Sequence, residues 1–172
     1  MRSIALIFAP LAFLAFSISS ASSDDAQATL PERKAGLWEL KTVMDEGNGP
    51  HDQTMKLCID GQMEKNTVSA SVLEHKANCS SYDIKSGSGA TEVNSDCLYN
   101  GRKVTSTTTM SGDFKSAFEI KIQSTTTEPE QKAQSVVVKR TITQLGKYVG
   151  ESCGDLKAGE AEAADGTRIL VQ

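Results

Sequence analysis

Apolar positions recur with a period of two through the middle of the chain. Trp38 and Leu40 alternate with Glu39 and Lys41, and Met55, Leu57 and Ile59 with Lys56 and Cys58. Tyr82 and Ile84 alternate with Asp83 and Lys85, and Phe114, Phe118, Ile120 and Ile122 with Lys115, Glu119, Lys121 and Gln123. Val136, Val138 and Ile142 alternate with Val137, Lys139 and Thr141. Successive side chains of a strand point to opposite faces, so each run predicts a strand with one face in and one out. Val104–Met110 is rich in threonine, whose β-branched side chain suits a pleated surface.

Turn residues separate these runs. Gly47-Asn48-Gly49-Pro50, Gly87-Ser88-Gly89, Ser111-Gly112-Asp113 and Glu128-Pro129-Glu130 each divide one strand from the next. Asn100-Gly101 is a strong two-residue hairpin signal, because both residues tolerate positive φ. The pattern predicts about seven strands, roughly 36–45, 52–60, 79–87, 90–99, 102–111, 114–126 and 133–146. Short turns between consecutive strands make an antiparallel meander, bent into a strongly curved sheet or an open barrel. One interruption, residues 60–78, predicts a short helical crossover. Asp60 is its N-cap, Gln62–Lys65 fits a helical turn, and Val68–Leu73 is either helical or extended.

The ends differ from the middle. Arg2 precedes an almost purely apolar stretch, Ile4–Ile18, and Ser19-Ser20-Ala21 follows with small residues. About fifteen apolar residues fall short of the roughly 20 that span a bilayer, so residues 1–21 read as a cleaved secretory signal and not an anchor. Cleavage is expected after Ala21, with Ser23 as the alternative. Residues 22–33 read as a disordered leader, 34–153 as a single β-rich domain, and 154–172 as a loosely held polar tail.

Charge changes the picture little. The formal charge of −4, moving to −5 when Arg2 is removed, includes no cluster of lysine or arginine. Nucleic acid and anionic membrane surfaces need concentrated positive charge, and partners of that kind are not expected. The chain carries one tryptophan and four cysteines, Cys58, Cys79, Cys97 and Cys153. No C-x-x-C occurs, so neither a redox motif nor a zinc site is expected, and in an oxidising compartment four cysteines read as two disulfides. Cys58–Cys79 with Cys97–Cys153 would close loops worth about 3.4 and about 4.2 kcal/mol by chain entropy. Cys79–Cys97 with Cys58–Cys153 is the rival, since a hairpin centred on Ser88 sets Cys79 opposite Cys97. The sequential pairing is favoured here, because a cross-strand bridge constrains a pair the hairpin already holds.

Lys34-Ala35-Gly36-Leu37-Trp38-Glu39 at the first strand resembles the opening of domain-of-unknown-function family 3617: a basic residue, proline or alanine, then G-x-W-E. Ser111-Gly112-Asp113 before an aromatic residue resembles that family's S-G-D turn, and Gly150-Glu151-Ser152-Cys153 its ending. The cysteine spacing is similar, and the likeness extends over about 34–153. It implies a small β-rich exported bacterial protein, periplasmic or secreted, and implies no activity. The loop around Gly47 lacks the Met/Pro-rich insert of many such proteins, and the tail beyond Cys153 is longer.

Candidate chemistry is sparse. His51 beside Asp52 and His75 beside Glu74 are the only histidines. Each reads as an exposed loop residue before it reads as a base or ligand. H-E-x-x-H and G-x-S-x-G are absent, and acids such as Glu39 and Asp45 are too generic to nominate. Trp38 is either a core anchor or the wall of a pocket. Thr105–Thr109 and Thr125–Thr127 could make a flat binding face. Asn78-Cys79-Ser80 fits a glycosylation pattern by chance. No catalytic residue, cofactor or metal is assigned. The expected function is a non-catalytic binding or interaction module of the envelope, taking a small apolar ligand or an envelope protein. The alternatives are an exported hydrolase acting on envelope material, and an inhibitor or assembly factor.

Overall fold

The computed structural model describes residues 29–87, 89–128 and 136–171. The expected signal, residues 1–21, and residues 22–28 of the expected leader lie outside the described residues. Among the described residues nine strands and one helix follow in order: β1 Gly36–Asp45, β2 Pro50–Ile59, α1 Gly61–Asn78, β3 Cys79–Gly87, β4 Ala90–Tyr99, β5 Arg102–Gly112, β6 Ala117–Thr127, β7 Val137–Gly150, β8 Glu160–Ala163 and β9 Arg168–Leu170. The fold is mainly β, as the alternation predicts, and all strands pair antiparallel in one sheet of order β3-β4-β5-β6-β7-β1-β2-β8-β9.

The meander runs unbroken from β3 to β7. It then closes back on the start of the chain, because β7 pairs with β1 and not with a later strand. The hairpin β1–β2 therefore sits beyond β7, and α1 carries the chain from β2 to the opposite edge at β3. The sheet is not closed into a barrel: β3 is one edge and β9 the other. Eighteen helical residues span about 27 Å, which holds the ends of β2 and β3 apart.

That separation decides the disulfides against the favoured pairing. Cys58 and Cys79 lie at opposite ends of α1, and a bridge needs Cα atoms within about 7 Å. The structure instead joins Cys58 to Cys153, with Cα atoms 5.4 Å apart, and Cys79 to Cys97, which the β3–β4 register sets face to face. None of the four is free.

The polar tail is a second correction. Residues 160–163 and 168–170 form β8 and β9, Ala161 is fully buried opposite Leu57, and Leu156 is buried as well. Main-chain groups along β2 would otherwise face solvent unpaired, and β8 supplies their partners. Gly159 N donates to Cys58 O at 2.9 Å, and the Cys58–Cys153 bridge holds the tail at that edge. Strands of four and three residues are too short to register as a period of two.

One face of the sheet carries the core: Trp38, Leu40, Leu57, Ile59, Phe114, Phe118 and Ala161, flanked by Met55, Met110, Ile120 and Tyr148. Trp38 is a core anchor and not a pocket wall. It is fully buried, packs on Phe118 and Tyr148 at centroid distances of 5.2 and 5.4 Å, and donates Nε1–H to Lys34 O at 2.8 Å.

The family-like motifs now have physical reasons. Gly36 has φ +128°, and a Cβ there would strike Gly150 O and the Tyr148 ring. In the S-G-D turn, Asp113 Oδ1 accepts from the main-chain N–H groups of Lys115, Ser116 and Ala117, and Oδ2 from the Ser116 hydroxyl. These bonds, those of Ser116 foremost, hold its carboxyl well below the usual carboxylate range. The turn places Phe114 at φ +54° and stacks its ring on Phe118, so β6 begins at Ala117 and not at Phe114.

Gly146 lies directly beneath the Phe118 ring, opposite it in the β6–β7 register. A Cβ at Gly146 would overlap that ring, which is itself locked between Trp38 and Phe114. Gly146→Ala is expected to destabilise the fold by about 2–3 kcal/mol through overpacking. Urea unfolding followed by circular dichroism checks it, and a change within error would mean that Phe118 has room to move.

Candidate functional site

Helix α1 is pinned at its ends and weakly packed in between. At its start Asp60 Oδ1 accepts from Gln62 N at 2.9 Å and Met63 N at 3.0 Å, as its N-cap role predicts. One turn later Glu64 is buried and takes a two-pronged grip from Arg33: Nε donates to Oε1 and Nη2 to Oε2, both at 2.8 Å, with Arg33 N adding a third bond to Oε1 at 3.1 Å. A fork of this kind fixes orientation as well as charge. The next residue, Lys34, donates its N–H to Phe114 O at 2.8 Å. Residues 30–34 thus form a strap between the helix and the core turn.

At the other end, His75 packs on Tyr82 of β3 and Tyr99 of β4, with ring centroids 5.3 and 6.3 Å apart. Burial pushes the Tyr82 hydroxyl above its ordinary pKa, with the Tyr99 hydroxyl adding to the effect. Tyr99 is raised by the same cause, with the Glu74 carboxylate second. The Cys79–Cys97 bridge begins one residue after the helix ends.

Between these anchors, no α1 side chain belongs to the core cluster, and Glu64 is its one buried residue. Val68 and Val72, one helical turn apart, and Leu73, 69% exposed, instead line a cavity of about 690 Å3. Leu30 and Pro31 of the strap and Ile84 of β3 complete its apolar wall, with Glu32 and Lys76 among its polar lining. Pockets of roughly 300–1,000 Å3 hold small molecules.

The residues singled out from the sequence do not converge. His75 Nδ1 donates to Ser71 O at 2.7 Å, so that nitrogen is engaged within its own helix. His51 is exposed on β2, opposite Met44. Glu39 and Asp45 lie on exposed positions of β1. Among the described residues there is no cluster of three or more His, Cys, Asp or Glu able to hold a metal. Asn78 ends α1 and donates Nδ2–H to Glu74 O. Thr105, Thr107 and Thr125 line a shallow polar depression of about 500 Å3 with Asn94, Gln123 and Lys139. Its groups are partly satisfied across strands, Thr107 Oγ1 donating to Asn94 Oδ1 at 2.8 Å.

Sequence reading missed the strap and the Arg33–Glu64 pair, because their partners lie 31 residues apart. The Val68–Val72 spacing was the one signal for the groove. Among the described residues no helix is long and apolar enough to cross a membrane.

No curated protein and no solved structure matches the chain. A family model does, over residues 33–153, from the Arg33 of the strap to the Cys153 that secures the tail. That span is well over half of the sequence, and the chain belongs to the family described as Protein of unknown function (DUF3617).

Proposed function

We propose that this is an exported, non-catalytic binding protein that takes a small apolar ligand into the groove beneath α1. One observation carries the reading: a helix tethered at both ends turns its apolar middle to a cavity and not to the core. In an ordinary surface helix the apolar stripe is sealed against the sheet. Here Val72 and Leu73 remain open to a guest, and burying a guest's apolar surface there is favourable. Export is supported by two complete disulfides and by the signal-like residues 1–21.

Native mass spectrometry of the protein recovered from the periplasm is the test. We expect an N-terminus at Ser22, no titratable thiol, and a bound species that organic extraction removes. Val72→Asp sets a charge against the apolar wall and is expected to lower occupancy at least about tenfold. A repeatedly apo mass, or a bound species indifferent to Val72→Asp, overturns the reading.

A further inference from the structure

The edge strand β3 offers a second site, built from main-chain groups and not from the groove. Among the described residues its outer main-chain edge has no strand partner, since β3 pairs with β4 alone. The register fixes which groups are free. Gly87 and Ala90 flank a two-residue turn, so they exchange both of their main-chain bonds. Counting back in twos, Lys85 and Asp83 also bond toward β4, while Ser86, Ile84 and Tyr82 direct their N–H and C=O groups outward.

We propose that two copies of this chain pair through β3, antiparallel, about a two-fold axis at Ile84. In that register Ile84 faces its own counterpart, and Tyr82 faces Ser86 of the second copy. Each pair exchanges main-chain bonds through groups that have no partner among the described residues. Asp83 then lies directly opposite Lys85 of the second copy, and Lys85 opposite its Asp83. Both side chains are exposed, and among the described residues neither is in an ion pair. Glu92, which faces Lys85 from β4, is bonded instead by Asn94 Nδ2 at 2.6 Å.

Charge selects this register over its neighbours. Centring the axis on Asp83 sets two carboxylates opposite each other, and centring it on Lys85 sets two ammonium groups opposite each other, both unfavourable. Pairings with an odd offset set outward groups against inward ones and make no ladder. A self-complementary patch is what a closed two-fold dimer requires. The opposite edge is less suited, since β9 has only three residues.

The test uses the oxidised protein as purified. Sedimentation velocity is expected to show a concentration-dependent dimer. Carbodiimide treatment of an equal mixture of light- and heavy-isotope copies is expected to yield a mixed peptide joining Asp83 of one copy to Lys85 of the other. Lys85→Asp is expected to weaken the dimer about tenfold or more, because two attractive pairs become repulsive, and adding Asp83→Lys is expected to restore it. A monomer at every concentration, a dimer indifferent to Lys85→Asp, or cross-links confined to β9 or another surface would each overturn the proposal.

Discussion

Replacing Cys58 and Cys153 together by alanine is expected to lower the unfolding free energy by about 4.7 kcal/mol, the chain-entropy value for a bridge of this separation. The two residues are 95 apart in sequence, so the bond removes a large share of the freedom of the unfolded chain. For a domain of this size the expected fall in Tm is roughly 10–20 °C. Cys79 and Cys97 are only 18 apart, and the same arithmetic gives at most about 3.2 kcal/mol. Their true effect is expected to be smaller still, since the β3–β4 hairpin already brings them together. The Cys58–Cys153 variant also carries a local signature. Ala161 and Glu162 of β8 pair with β2 over three residues only, so they are expected to lose hydrogen-exchange protection before the rest of the sheet. Calorimetry with hydrogen exchange checks both. If the Cys79–Cys97 variant proved the more damaging, the role given to the long-range bridge would fail.

Trp38→Ala comes next, with an expected destabilisation of about 3–5 kcal/mol. The indole is fully buried, touches Phe118 and Tyr148, and closes the strap through its bond to Lys34 O. Truncation leaves a cavity in the centre of the cluster and an unpaired carbonyl beside it. Trp38→Phe retains most of the contact but not the bond, and is expected to fall well short of the alanine variant. Because the only tryptophan is removed, unfolding is followed by far-ultraviolet circular dichroism. A loss below about 1 kcal/mol for Trp38→Ala would show that the neighbouring rings collapse into the space.

What was legible of the fold was local. β1, β3 and β4 end where alternation and turn residues predict, because a period of two and a glycine at positive φ are properties of adjacent residues. Asp60 capped α1 for the same reason. The start of β6 was misread by three residues, since Phe114 kept the alternation while sitting in a turn built by Asp113. The candidate site was scarcely legible. Val68 and Val72 hinted at an apolar stripe, yet whether such a stripe packs on a sheet or lines a cavity depends on what lies across from it. Leu30, Pro31 and Ile84 come from two other segments of the chain.

Strands, turns and the helix cap were thus written in the order of residues alone, because short-range sterics and the alternation of side chains need no distant partner. Which strands distant in sequence meet, which sulfurs pair and where an opening remains were settled by the assembled sheet. Those outcomes depend on β7 returning to β1. That contact throws β2 and β3 to distant positions in the sheet, stretches α1 between them, and leaves Cys58 within reach of Cys153 and not of Cys79.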